Sequence, residues 1–440
     1  MVSAKEASSE LDTQDSPRWH RRLFHLSIAT LAYGFYPNLL GIFIVLIATA
    51  RWFKRSCIDP LTRTSLFVVS VGMGVSTWMA MDRGEAVLQL THFLPFFWLF
   101  ITLPIVVRSP LFQSRIARDL VLTSIPINLV AIAEYAVKSN LVPSSFQGWG
   151  LLSGVIEQWR TAPHIGRAMV MFDHPNVLAN YLAIIFGLGL GLILTASSKS
   201  SSSKSSSSKS SESSLPKSSI SPWIWGATLL NLVGIFCSGS RNGILAVLLQ
   251  VALGIVMVKL NRTLLLLGGI SSIGFGLGAF FLGLGTRTIG ITQVMDDPRV
   301  GIWAIAFDLI RARPWLGWGP GSFKFLYPER LINPEYDIVF HPHNLWLLLG
   351  AEYGLPVMIG LTVTIGFICY RGCCALWDPV SPASPHLTTT RYPIAPGYLL
   401  AFAGSVIFSL LDVTLYDARL NVMNWILLSV IYSWTLKSGR

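Results

Sequence analysis

The sequence predicts an all-α membrane protein with about twelve transmembrane helices, and three observations carry that prediction. Of the 440 residues, 52% are hydrophobic and only 12% are charged, whereas a soluble domain is nearer a quarter charged. Apolar windows recur along the chain, many close to the roughly 20 residues that cross a hydrocarbon core. Lys and Arg punctuate the ends of these windows and concentrate in alternate connecting segments, the positive-inside pattern. The net charge of +11 is therefore a topology signal and not a nucleic-acid surface. The expected surroundings are membrane lipids, with no nucleic-acid partner.

Taken in order, residues 1–22 form a polar cytoplasmic tail. No cleavable signal peptide is expected, because the first apolar run leads straight into further spans. Spans are predicted at 23–36, 38–50, 65–81, 87–107, 119–137 and 173–195, which make the first half of the bundle, 23–195. The first two share Pro37 and read either as a hairpin or as one broken helix. A hairpin puts Arg21, Arg22, Arg51, Lys54 and Arg55 on one side, and makes the later basic loops around Arg115, Lys259 and Arg371 cytoplasmic as well. Residues 196–221 are a Ser/Lys tract. Such a tract buries too little apolar surface to offset its ordering entropy, so a disordered cytoplasmic linker is expected. Spans at 222–238, 243–259 and 263–284 make up segment 222–284, and spans at 345–370, 396–412 and 420–436 lie in 345–440. Between them, 285–344 is a long external loop. Glycine runs at 187–192 and 274–285 predict close helix packing by small residues. Cys57, Cys237, Cys369, Cys373 and Cys374 have no zinc-like spacing, so neither a disulfide framework nor a metal site is expected.

This topology brings distant polar residues to one membrane face: His174 in FDHPN, Arg241 in CSGSRNG, Arg299 in DDPRVGIW, His341 and His343 in HPHN, and Asp412 and Asp417 in LLDVTLYDAR. Snorkelling and helix capping are the ordinary roles of such residues; their convergence is what suggests a site. Pro342 restricts His341 to extended geometry, which lets His341 and His343 share a side. Asn344 is a candidate N-cap of the following span. His343 then sits at the positive end of a helix dipole, which favours neutral imidazole, the form a general base requires. In FDHPN, Asp173 caps and Pro175 opens a helix, and His174 reads as structural.

Arg241 lies between two spans, where a charge is costly unless paired or solvated. It either snorkels to lipid phosphate or binds a diphosphate, whose oxygens a guanidinium fork matches. Asp297 as N-cap and Pro298 as first residue start an amphipathic helix, with Ile302, Trp303, Ala306, Phe307 and Ile310 at helical spacing. Arg299 in its first turn is on the wrong side of the helix dipole, which calls for a local anion. PWLGWGPGSF is turn punctuation and lacks the phosphate-loop pattern; Trp315, Trp318 and Phe323 line a sugar or lipid, or belong to the interfacial aromatic belt. Glu134 and Glu352 fall within spans, where a carboxyl is either functional or held by a buried hydrogen bond.

Four passages in this order, FDHPNVLANYLA, CSGSRNGILAVLL, RVGIWAIAFDLIRARPWLGWGPGSF and HPHNLWLLLGAEYGLPVMIG, resemble the O-antigen ligase family of bacterial membrane glycan-transfer proteins. The resemblance covers roughly residues 165–370. It implies a GT-C-like fold in the bacterial inner membrane, with 285–344 as a periplasmic loop between the ninth and tenth spans. It implies transfer of a glycan from an undecaprenyl-diphosphate donor to an acceptor hydroxyl, on a glycan or a lipid, at the periplasmic face. His343 matches the family's acceptor-activating histidine, and Arg241 and Arg299 match its diphosphate-binding arginines; His341, His174 and Asn344 are further candidate substrate-binding residues. No cofactor and no metal is implied. The chain departs from the family pattern after Gly354, which is followed by Leu355, Pro356 and Val357, so that Val357 stands where the family often has Gly, Thr or Tyr. The wider family also includes polymerases, protein glycosyltransferases and members assigned to inorganic-carbon transport. Bicarbonate transport and a non-catalytic polysaccharide-assembly role therefore stand as alternatives. A transporter needs a polar path across the membrane, whereas these polar groups crowd one face.

Overall fold

The computed structural model describes residues 18–50, 58–143, 150–202, 221–258, 298–331, 339–377 and 392–436, and their secondary structure is helical throughout. Four stretches are long and apolar enough to cross a membrane: Arg83–Val106, Pro110–Lys138, Pro175–Ala196 and Leu355–Leu376. Shorter apolar helices cover Phe35–Thr49, Pro222–Cys237, Arg241–Met257 and Ala395–Leu411. The chain is thus an all-helical protein with the span composition of a membrane protein.

Helices α1 (Arg18–Ala29) and α2 (Phe35–Ala50) are separate and pack on each other as a hairpin. Asn38 Nδ2 donates to the Thr30 carbonyl at 2.7 Å across the turn, and a Cβ on Gly41 would come within 2.2 Å of Ser27 Oγ. Next come α3 (Pro60–Trp78), α4 (Arg83–Leu90) and α5 (Leu94–Val106). The span expected at 87–107 is therefore two helices, joined by a turn before Pro95. Helix α6 (Pro110–Lys138) has 29 residues, about 43 Å at 1.5 Å per residue. It is followed by the short α7 (Leu151–Thr161).

Helix α8 (Pro175–Ser202) is the hub of the bundle. It packs against α6, α9 (Pro222–Cys237), α10 (Arg241–Val258) and α15 (Ala395–Leu411). Its residues Leu178, Ala179, Leu182, Ala183, Ile184 and Ile185 are all fully buried. Glycine permits the α15 contact, since a Cβ on Gly191 would lie 2.0 Å from the Gly397 Cα. The expected small-residue packing at 187–192 is thus present, and its counterpart at 274–285 lies outside the described residues. So do the ninth predicted span, the Asp296–Asp297 helix start and residues 203–220 of the Ser/Lys linker.

The segment expected as one span from 345 breaks at Gly354 into α13 (Leu345–Tyr353) and α14 (Leu355–Trp377). The break has a local cause. Gly354 adopts φ +86°, and a Cβ there would meet the Trp315 carbonyl oxygen at 2.3 Å. The GWGPG turn fills the gap: Trp318 N–H donates to the Ala351 carbonyl (3.0 Å), Gly319 N–H to that of Glu352 (2.9 Å), and Leu355 N–H to that of Pro314 (2.8 Å). Helices α11 (Pro298–Ala312) and α12 (Phe323–Glu329) flank this turn and share an apolar cluster with α13 built on Ile302, Leu309, Phe323, Leu347 and Leu348. The last helix, α16 (Ala418–Ser433), is buried along most of its length. At the end of the bundle away from these turns, Asp59 caps α3 and binds Arg371 (2.6 Å) and Tyr432 (2.9 Å).

Candidate active site

The HPHN segment lies at the α13 end of the bundle, and its geometry follows from its residues. Asn344 is the N-cap, as its side chain predicts, with Oδ1 accepting from the N–H groups of Trp346 (2.9 Å) and Leu347 (3.0 Å). Its Nδ2 donates to the Leu410 carbonyl at 2.9 Å, tying the cap to α15. Trp303 of α11 holds the segment from the other side through Nε1–H to the Pro342 carbonyl (2.9 Å).

His341 and His343 do face one another, with ring centroids 4.6 Å apart and nearly perpendicular. The cause differs from the one expected. His343 has φ +50°, in the left-handed region, so a tight turn and not an extended strand brings the rings together. A non-glycine residue held there is strained. Here the strain is held by a hydrogen bond: His343 Nδ1 lies 2.9 Å from Asp412 Oδ1. Asp412 is buried at the end of α15 and ended the sequence reading as one polar residue among several. Its other oxygen, Oδ2, accepts from Asn176 Nδ2 at 2.5 Å. Burial pushes its carboxyl up, but the hydrogen bond and charge of His343, the neighbouring His341 and the Asn176 amide outweigh burial and hold it well below the usual carboxylate range. An ionised carboxylate only accepts hydrogen bonds, so His343 carries a proton on Nδ1, and in the neutral ring Nε2 then keeps the lone pair.

The two arginines meet the same end of the bundle through Asn242. Arg241 is the first residue of α10 and is exposed. Arg299 Nη1 donates to Asn242 Oδ1 (3.4 Å), and Asn242 Nδ2 donates to the Leu411 carbonyl (3.3 Å), one residue from Asp412. One partner of Arg299 is thus a neutral amide. His174 is the residue before α8, and it supplies the cap expected from Asp173: its Nδ1 accepts from the Asn176 N–H at 3.1 Å. Its ring packs 4.6 Å from that of His164. Burial pushes both His174 and His341 down to about 4, against the opposing pull of Asp412, and leaves them neutral near pH 7.

The remaining candidates separate. Trp315 is exposed at 74% while Phe323 is fully buried and stacked on Tyr327, so they share no aromatic floor. Trp318 lies between the guanidinium groups of Arg313 (4.1 Å) and Arg330 (5.4 Å). Glu352 accepts from the Phe323 N–H (3.2 Å). Glu134 pairs with Lys138 at 2.8 Å and accepts from the N–H groups of Met169 (3.0 Å) and Val170 (2.7 Å). Both carboxyls therefore hold loops. Asp417 caps α16 and pairs with Arg419.

Ligand atoms of His341, His343 and Asp412 lie within 4.8 Å of one another, the one grouping among the described residues that could hold a metal ion. No such cluster was expected from spacing, because Asp412 is 69 residues from His343. Several of its atoms are already engaged within the protein. Asp412 binds His343 and Asn176, and His341 Nδ1 accepts from the His343 N–H at 3.4 Å.

Residues 226–362 match the family model described as O-antigen ligase. The match makes the chain similar to the O-antigen ligase family over about a third of its length. The match holds Arg241, Arg299 and the HPHN segment, and so three of the four passages that carried the resemblance; FDHPNVLANYLA lies ahead of it. No curated protein matches the chain. The O-antigen ligase match ends before Asp412 and begins after Asn176, so part of the cluster is assembled from outside it. Asn176, and with it Arg167, were missed in the sequence. The available signals were an Asn at the second position of a helix and an isolated cation shortly before FDHPN.

Proposed function

We propose that this protein is a membrane glycosyltransferase that moves a glycan from a polyprenyl-diphosphate donor to an acceptor hydroxyl at the periplasmic face of a bacterial inner membrane, in a twelve-span GT-C-like frame. The observation that carries the reading is the 2.9 Å His343 Nδ1–Asp412 contact. In the neutral ring it leaves Nε2 as a base, at the bundle end that Arg299 reaches through Asn242 and where Arg241 opens α10. In the reaction the acceptor O–H gives its proton to His343 Nε2 as its oxygen bonds the anomeric carbon. The bond from that carbon to the donor's phosphate oxygen breaks, and the electron pair leaves with the diphosphate. Negative charge then builds on the diphosphate, where guanidinium groups stabilise it without a metal. His341, His174 and Asn344 line or shape the approach to this centre. Bicarbonate transport is less well supported: Glu134 and Glu352, the isolated carboxyls of the predicted spans, are engaged by backbone N–H groups.

The test is complementation of a host strain lacking the protein with wild type, His343→Ala, Arg241→Ala and Arg299→Ala, each checked for membrane abundance. Loss of surface glycan attachment or length with accumulation of lipid-linked precursor is the expected result. A normal glycan profile in all three, with altered bicarbonate uptake, overturns it.

A further inference from the structure

The base and its carboxylate are tied to a third arginine that neither the sequence motifs nor the family match contains. Arg167 Nη2 donates to Asn176 Oδ1 at 2.9 Å, and Asn176 Nδ2 donates to Asp412 Oδ2. Asn176 is buried, at 8% exposure. The direction of its amide is fixed by chemistry, because a guanidinium only donates and a carboxylate only accepts. The amide therefore turns its oxygen to Arg167 and its NH₂ to Asp412 Oδ2, and Asp412 Oδ1 accepts from His343 Nδ1 and the Val413 N–H (2.9 Å).

Arg167 is itself held on several sides. Its Nε donates to the Ser238 carbonyl (2.9 Å). Its stem packs on Gly239, where a Cβ would meet Arg167 Cγ at 3.1 Å and where φ is +60°. Its own carbonyl accepts from Lys138 Nζ (3.1 Å), and the next residue, Ala168, bonds the Cys237 carbonyl (2.9 Å). Beneath this loop lies the Glu134–Lys138 pair, with side chains 1% and 2% exposed. Glu134 also binds Val170, a β-branched residue at φ +56°. A buried ion pair is seldom a net source of stability, and a β-branched residue in the left-handed region is strained. Both features converge on the backbone that presents Arg167.

We propose that Arg167 is a positioning residue: through Asn176 and Asp412 it fixes His343 in the Nδ1–H tautomer with Nε2 free. The proposal deepens the glycan-transfer reading and rests on it for its functional meaning, but the tautomer can be read without any substrate.

The test uses the full chain in lipid nanodiscs with ¹⁵N-labelled histidine, recorded well above the usual imidazole titration range. His343 is assigned among the eight histidines by loss of its signal in His343→Gln. Wild type is expected to show His343 with Nδ1 protonated. Arg167→Ala is expected to move His343 towards a mixture with the Nε2–H form, and Asn176→Ala, which cuts the same link from its other side, to do likewise. Arg167→Lys keeps a donor for Asn176 and is expected to recover most of the wild-type signal. If Arg167→Ala fails to fold, Asn176→Ala and Arg167→Lys decide the matter. A wild-type His343 spectrum in Asn176→Ala and in any folded Arg167→Ala, alongside a changed one in Asp412→Asn, overturns the proposal. Failure of the glycan-transfer reading would instead show as intact surface glycan in His343→Ala, which the spectra do not touch.

Discussion

Replacing Asp412 by Asn should abolish most activity while leaving the fold intact, and the donor pattern says why. Asn has the size of Asp and fits the same buried space. Asn176 presents an NH₂ group to it at 2.5 Å, and Arg167 holds that amide in place. With that NH₂ fixed, the new side chain turns its oxygen towards Asn176 and its own NH₂ towards His343, at the cost of the bond that Oδ1 accepts from the Val413 N–H (2.9 Å). His343 Nδ1 then has to accept, so the ring's proton moves to Nε2, the atom from which the base must act. Loss of a positioned general base costs roughly 10²- to 10⁴-fold in rate, or about 3–5 kcal/mol at 1.36 kcal/mol per decade. The triad of serine proteases supplies a precedent in which the equivalent Asp-to-Asn exchange gives the wrong tautomer. The assay is surface-glycan display and lipid-linked precursor level in a complemented strain, normalised to membrane abundance. Transfer within about 3-fold of wild type at equal abundance would refute the tautomer argument, because a base on Nε2 would then not be needed.

Three further outcomes are expected. Lys138→Met leaves the Glu134 carboxylate buried without its 2.8 Å partner, which should cost about 3–5 kcal/mol; the thermal midpoint in detergent should drop clearly, and an unchanged midpoint would mean the pair is not buried in solution. His174 and His341 are held at about 4 in the fold, below the unfolded value of about 6.5. Over that interval the unfolded chain binds more protons, so stability should be full above about pH 6.5 and fall as pH drops towards 4, with Asp412 adding a loss only below its own unfolded value of about 3.9. A melting series across this range checks it, and a flat profile would contradict it. Extensive chelation should leave glycan transfer by washed membranes unchanged, because the His343 Nδ1 and Asp412 Oδ1 atoms that a metal would need are spent on each other; a loss restored by one added divalent cation would make the trio a metal centre.

Much of this was legible in the sequence because the signals were local. Asn344 was read as a cap from its place before an apolar run, and it caps. Span ends at Pro222, Cys237 and Leu411 lie within a residue or two of the apolar windows that predicted them. The failures involve contacts between distant segments. GAEYGLP does hold a stop signal, a glycine with a proline two residues on, but nothing in it shows the Trp315 carbonyl that presses against Gly354 from another part of the chain. Asp173 had the better capping chemistry on paper, yet His174 took the role because it is the residue directly ahead of Pro175. The sequence placed Arg241, Arg299 and His343 on one face, and Asn242 brings Arg299 to the α15 end where His343 sits. It did not join Asp412 to His343, since a pairing across 69 residues leaves no trace in local spacing.

The family match at 226–362 marks out a piece that looks transplantable, and the cluster shows that it is not. A chimera built by exchanging that piece alone would import a histidine and two arginines but inherit the orienting carboxylate and amide of its host. Such hybrids should work only when the segment from Arg167 to Asn176 and the α15 end at Asp412 travel with it. The unit of inheritance for this chemistry is then three separated strips of chain that must change together.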